Sequence, residues 1–185
     1  GGRYKSIDFP NLYWDYNFIN DRIIVSNISA QISTLGLFKT DGLSINVGSQ
    51  VGGYPYKVGF DGATFAGFEG KLKSDGIKGT FTINKPGTTD KDWFGKVNIK
   101  KTAIVSAVVN NISNTITPIS NGIALENIEG EFLNGDISGK ILIDTTTSPS
   151  GIKTDVKLVN ASIQSAGTTI KLNESDLNFT GTLPN

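Results

Sequence analysis

The chain has 185 residues, equal numbers of basic and acidic side chains, and neither cysteine nor histidine. Disulfides, thiolate metal sites, thiol nucleophiles and an imidazole general base are therefore excluded, and any catalysis would have to run on carboxylates, lysines or hydroxyls. The lysines are scattered and only Arg3 and Arg22 are arginines, so no basic stripe for nucleic-acid phosphates is visible, and no apolar run reaches the ~18–20 residues of a spanning helix.

Methionine is absent, which implies that the chain does not begin at a natural start codon. Gly1 and Gly2 read as a cleavage remnant and residues 3–185 as a single β-repeat domain, a fragment of a longer protein. From there the dominant period is two. Leu12, Trp14, Tyr16 and Phe18 share one side of a run. Ile28-Ser29-Ala30-Gln31-Ile32, Leu43-Ser44-Ile45-Asn46-Val47 and Tyr54 to Phe60 follow the same rule. So do Ile77 to Ile83, Val97-Asn98-Ile99, Ile137 to Ile143 and Val156-Lys157-Leu158. Alternation of this kind marks strands with one buried and one wet face, and the supply of Ile, Val, Thr, Phe and Tyr agrees. Thr102 to Ile112 fits both strand and helix spacing and is read as strand because it is β-branched; Ser33 to Phe38 has room for a short helical turn.

Turn chemistry falls between the runs, at Asp41-Gly42, Ser74-Asp75-Gly76, Lys85-Pro86-Gly87, Asn121-Gly122, Asn134-Gly135 and Ser148-Pro149-Ser150-Gly151. Short strands so punctuated predict an antiparallel meander. One stretch is also repeated. Phe68-Glu69-Gly70-Lys71-Leu72, a turn, then Ile77 to Ile83 aligns without a gap to Ile128-Glu129-Gly130-Glu131-Phe132, a turn, then Ile137 to Ile143. A third copy opens at Phe179-Thr180-Gly181-Thr182-Leu183. The expectation is a pair of superimposable hairpins related by translation along one elongated sheet.

Within that repeat, Gly70, Gly79, Gly130 and Gly139 fall on the apolar face between large residues, each leaving a notch. A strand glycine costs stability unless a neighbour, a bend or a ligand uses its space. A bulky side chain opposite is one occupant of such a notch; hydrocarbon on a curved, open face is the other.

Other chemistry is thin. Glu129 and Glu131 lie two apart on the wet side of one strand with no second element to mark a cleft. Thr88-Thr89-Asp90-Lys91-Asp92 lacks the ordered ligands of a calcium loop, and no glycine loop has phosphate-binding spacing. Sequons at Asn27, Asn111, Asn160, Asn173 and Asn178 follow from a composition rich in Asn, Ser and Thr. Trp14 reads as core, and Trp93 as an anchor for a partner or a cap on the sheet.

The stretch Leu125-Glu126-Asn127-Ile128-Glu129-Gly130-Glu131-Phe132, a short turn, then Asp136-Ile137-Ser138-Gly139-Lys140-Ile141, followed by Thr154 to Ile163, resembles the hairpins of the AsmA/TamB superfamily of bacterial envelope proteins. The resemblance covers roughly residues 65–183 and is thin before Gly53. It implies an all-β fold: an elongated, curved, mostly antiparallel sheet forming an open groove. It also implies a periplasmic location, a parent protein anchored in the inner membrane, and a part in phospholipid transport to the outer membrane or in outer-membrane assembly. No catalytic residue, metal or cofactor comes with it. The expected partners are phospholipid or acyl chains and envelope proteins, with no nucleic acid and no membrane span within these residues. The residues expected to meet lipid are Phe68, Gly70, Leu72, Gly79, Phe81, Ile128, Gly130, Phe132, Gly139 and Ile141. The alternative is a closed β-sandwich serving as a structural, adhesin or type II secretion accessory module, in which the same residues face a second sheet.

Overall fold

In the computed structural model the described residues are 2–4, 7–9, 12–19, 22–32, 36–48, 52–67, 70–87, 91–105, 107–147, 149–165 and 167–182. They form strands β1 (Gly2–Tyr4), β2 (Ile7–Phe9), β3 (Leu12–Ile19), β4 (Arg22–Ile32), β5 (Gly36–Asn46), β6 (Tyr56–Gly67) and β7 (Leu72–Ile83). Strands β8 (Trp93–Ile104), β9 (Ala107–Ile119), β10 (Gly122–Phe132), β11 (Gly135–Asp144), β12 (Gly151–Ser165) and β13 (Thr168–Thr182) complete the chain. β1 and β2 pair with each other; β3 to β13 make one eleven-stranded sheet in sequence order. Every pairing is antiparallel, as the period-two runs predict. The sheet is open, with β3 and β13 at its edges. The predicted reversals at Lys85-Pro86-Gly87, Asn121-Gly122, Asn134-Gly135 and around Pro149 all fall at junctions between strands, with Gly122 and Gly135 opening β10 and β11.

Two predicted turns are not turns. Asp41-Gly42 lies inside β5 and Asp75-Gly76 inside β7. Each is a pair of successive residues on the polar face, a β-bulge that resets the alternation. In β7, Leu72 and Ser74 share the inner face with Ile77, Gly79 and Phe81, although their parity differs. The same device recurs in β4 at Ser26-Asn27, in β6 at Asp61-Gly62, in β8 at Lys100-Lys101 and in β9 at Asn110-Asn111. Register places these doublets opposite one another from β4 to β9: Ser26 faces Gly42, Asp75 faces Lys101, and Lys101 faces Asn110. Further doublets, Glu126-Asn127 in β10 and Val159-Asn160 in β12, do the same locally. Their backbone is left-handed at Asn27 (φ 55°), Gly62 (φ 70°), Gly76 (φ 62°), Asn111 (φ 51°), Asn127 (φ 52°) and Asn160 (φ 57°). Gly and Asn are the residues that take this conformation at low cost. At these six positions the doublet takes a positive φ as a tight turn does, whereas Asp41-Gly42 and Lys100-Lys101 reset the alternation without one.

The repeat is corrected for the same reason. Ile128–Phe132 and Ile137–Ile143 are the two arms of a true hairpin, with Phe132 facing Gly135. The earlier copy is not a hairpin, because Leu72 to Ile83 is one continuous strand. Gly70, placed on a strand by the sequence, lies in the β6–β7 turn with φ 82° and open space around it. Thr102 to Ile112 is strand on both sides of a reversal at Val105. Of the segment Ser33 to Phe38, residues 33–35 lie outside the described residues, and Gly36, Leu37 and Phe38 are strand rather than helical turn.

From β4 to β13 the resets leave one face mainly apolar and the other mainly polar. The innermost residues of the apolar face are Ala63, Ile77 and Val97, with Phe38, Phe60, Phe65, Phe81, Ile99 and Ile116 packed around them. Val25, Ile28 and Ala30 in β4 and Leu158 and Ala161 in β12 are also buried. The β1–β2 hairpin contacts β4. Among the described residues, no second sheet or helix lies over β5 to β13.

Candidate functional site

The apolar face is built from cross-strand pairs. Phe38, Phe60, Phe81 and Trp93 form a chain of rings from β5 to β8. Phe38 meets Phe60 edge-on at 5.7 Å, Phe60 stacks on Phe81 at 6.1 Å, and Phe81 meets Trp93 at 6.0 Å. Such pairs contribute about 0.5–1.5 kcal/mol each beyond their buried area. Trp93 is half-buried on this face, against Phe81 rather than alone in a turn.

Two glycines lie directly opposite these rings. Phe60 faces Gly79 and Phe81 faces Gly95. A Cβ at Gly79 would sit 2.6 Å from Phe60 Cζ, and one at Gly95 would sit 2.4 Å from Phe81 Cε1. The notch at Gly79 is thus filled by a phenylalanine of the neighbouring strand. At Gly139 the φ is 152° and a Cβ would stand 2.2 Å from the Asp155 backbone oxygen, so close approach of β12 uses that space. A Cβ at Gly130 would lie 3.2 Å from the Asn110 backbone oxygen. Of the two occupants the sequence allows, a neighbouring side chain fills the notch at Gly79 and neighbouring backbone those at Gly130 and Gly139. They are where the sheet packs on itself, and any ligand meets the ring and aliphatic surface above them.

Of the residues predicted to meet lipid, Phe68 lies outside the described residues and Gly70 is in a turn. Leu72, Gly79 and Phe81 share the apolar face of β7. Ile128, Gly130, Phe132, Gly139 and Ile141 share that of β10 and β11, with Gly130 facing Ile137 and Ile128 facing Gly139. The structure therefore brings two groups onto one continuous face. The aromatic chain adds Phe38, which the sequence placed in a helical turn, Trp93, which it read as an anchor or a cap, and Phe60, which it placed on an alternating strand without pairing it to Gly79. Only the register reveals the pair.

Polar groups on this face are few. Ser74 Oγ and Thr102 Oγ1 satisfy each other at 2.9 Å. Asn114, 8% exposed and opposite Val97, has a side-chain oxygen without a hydrogen-bond partner. Burying such an acceptor costs stability.

The opposite face carries charge of both signs: Lys57, Lys73, Lys78, Lys96, Lys100 and Lys101 with Asp61 and Asp75 are exposed on β6 to β8, and Glu129, Glu131, Asp136, Asp155, Glu174 and Asp176 with Lys140, Lys153, Lys157 and Lys171 on β10 to β13. Asp61 accepts a hydrogen bond from Lys78 at 3.0 Å, and that bond and the ammonium charge hold its carboxyl below its ordinary range. Asp144, at the end of β11, is lowered by the Thr146 hydroxyl, the Thr146 N–H and the Asn121 amide. The Lys157 ammonium is raised by its bond to Glu174. Asp61 and Lys157 are exposed and Asp144 is half-buried, so each of these shifts reflects a local surface contact. Glu129 and Glu131 are exposed on the polar face. Thr88, Thr89 and Asp90 lie outside the described residues, and no acidic cluster suited to a metal occurs among the described ones.

No known protein family, curated protein or solved structure matches this chain.

Proposed function

We propose that the apolar face holds hydrocarbon, the acyl chains of phospholipid, and that the protein acts without catalysis as an AsmA/TamB-like element of the bacterial envelope. In that role it passes or holds lipid in the periplasm between inner and outer membrane, or supports outer-membrane assembly. The observation that carries this reading is a sheet with one apolar face running from β4 to β13 and no second layer over β5 to β13 among the described residues. A soluble sheet normally covers such a face. Hydrocarbon covers it without directional bonding, at about 0.8 kcal/mol per methylene removed from water. Head groups stay at the rim in water.

The test is binding of a fluorescent fatty acid in solution, compared across two variants of β11. Ile141→Asp puts a carboxylate on the apolar face; Ser138→Asp puts one on the polar face. The expected result is a loss of at least roughly tenfold in affinity for Ile141→Asp, because burying an unpaired charge under hydrocarbon is costly, with Ser138→Asp unchanged. Equal affinity in the two variants, or no binding by the parent protein, overturns the reading in favour of a closed structural module.

A further inference from the structure

We propose that the β8–β9 reversal is an insertion tip that seats one end of the sheet on a lipid bilayer carrying acidic phospholipid. The backbone gives the first sign. Among the described residues, seven non-glycine residues have a positive φ, and five of them are asparagines. The other two are Val105 (φ 55°) and Leu133 (φ 52°). A β-branched residue is a costly choice for this conformation, because its side chain crowds the backbone. Leu133 is half-buried, so its side chain finds contacts within the protein. Val105 is 77% exposed, the most open large apolar side chain among the described residues. Its N–H donates to Lys71 O at 2.7 Å, which ties the reversal to the β6–β7 turn beside it. A strained residue is thus held in place while its side chain stands in the open. Strain kept in this way points to a function of the exposed group.

Polarity is also lost on both sides of the tip. Ile104, 47% exposed, faces Leu72 and Ala107 on the apolar face. Val108, 38% exposed, faces Ala103 on the face that is mainly polar elsewhere. A sheet end in water has no use for an apolar residue on its wet side, whereas an end surrounded by hydrocarbon does. The reversals at the opposite end are built from Asn84-Lys85-Pro86-Gly87, Ser120-Asn121 and Thr145-Thr146-Thr147. Neither Val47 nor Tyr54, in the β5–β6 connection, has a left-handed backbone.

Charge selects the occupant. Lys73 faces Ala103, Lys71 lies in the adjoining turn, and Lys100 and Lys101 precede the tip on β8; all four are exposed. Within residues 70–76, 100–105 and 107–111 they are countered by Asp75 alone, opposite Lys101. At about 3.3 Å per residue, Lys73 stands about 7 Å behind Val105 and Lys101 about 13 Å. With Val105 at the acyl boundary, Lys71 and Lys73 fall among the head-group phosphates, and Lys100 and Lys101 remain near enough to feel the surface charge. Three aliphatic side chains are far short of the roughly 800 Å² per partner of a stable protein interface. A bilayer needs only apolar insertion joined to charge attraction, with no matching shape.

Flotation of the full chain with vesicles of phosphatidylcholine and phosphatidylglycerol tests this, with thermal melts to confirm that each variant folds. The parent protein should bind these vesicles at least roughly tenfold more tightly than vesicles of phosphatidylcholine alone. Val105→Asn places a residue that takes the left-handed backbone at low cost, so the fold is kept. It should weaken binding at least roughly fivefold, through loss of the inserted side chain. Lys73→Gln should weaken it about fivefold, and Lys57→Gln, which removes the same charge near the opposite end, should leave it unchanged. Ile141→Asp, which tests hydrocarbon on the apolar face, should also leave vesicle binding unchanged, so the two readings fail separately. A parent that does not float with acidic vesicles, or a Val105→Asn variant that binds as the parent does, overturns the proposal. So does a loss in Lys57→Gln equal to that in Lys73→Gln.

Discussion

Gly139→Ala lowers stability by about 3 kcal/mol or more. Two costs combine. The φ of 152° is one that L side chains rarely adopt, and the added Cβ meets backbone, not a movable side chain. It would stand 2.2 Å from Asp155 O and 2.7 Å from Val156 Cα. Relief requires β11 and β12 to separate where Gly139 pairs with Val156. Urea denaturation should show a lower midpoint, and hydrogen exchange should accelerate first in β11 and β12. A variant as stable as the parent would mean that the two strands are not this close.

Gly79→Leu is expected to cost about 1–3 kcal/mol, and the cause can be isolated. The Cβ would come within 2.6 Å of Phe60 Cζ and 3.3 Å of Lys96 O. The first obstacle is a ring that can move or be removed, while the second is backbone. Phe60→Ala alone is also destabilising, because it exposes Gly79 and breaks the ring chain between Phe38 and Phe81. Combined in one protein, the two substitutions should cost less than their sum, since the leucine then occupies the volume the ring has left. A double-mutant cycle should give a coupling of roughly 1 kcal/mol or more. Strict additivity would show that Phe60 does not fill the notch.

Much of this architecture can be read from alternation alone. Ile77 to Ile83 and Ile137 to Ile143 are strands because apolar residues two apart must share a face, and the antiparallel order follows from short connections. What misleads is chemistry shared by two structures. Asp75-Gly76 and Asn134-Gly135 both supply a residue that tolerates positive φ, but the first continues a strand and the second ends one. Ser74 and Ile77 flank the first doublet, and both are buried at 5% and 7% exposure. An odd spacing between inward residues is the trace a bulge leaves in sequence. It becomes decisive only when neighbouring strands carry doublets at matching positions, as Asp75 and Lys101 do. The candidate site was legible in part for a similar reason. Phe81, Phe132 and Ile141 follow from parity within a strand, whereas Leu72 shares the face of Phe81 only because the Asp75-Gly76 doublet resets the alternation. The occupants of the glycine notches depend on which strands pair and in what register, and one strand's sequence does not carry that information.

The most direct measurement on the central claim is native mass spectrometry of the protein purified from a bacterial envelope extract without detergent exchange. An apolar face with no second layer over it among the described residues should retain phospholipid or fatty acid, seen as discrete mass increments. Those increments should diminish in Ile141→Asp and persist in Ser138→Asp. A parent protein that carries no lipid at any mild activation energy, while remaining folded and soluble, would contradict the account and assign the face to protein–protein packing.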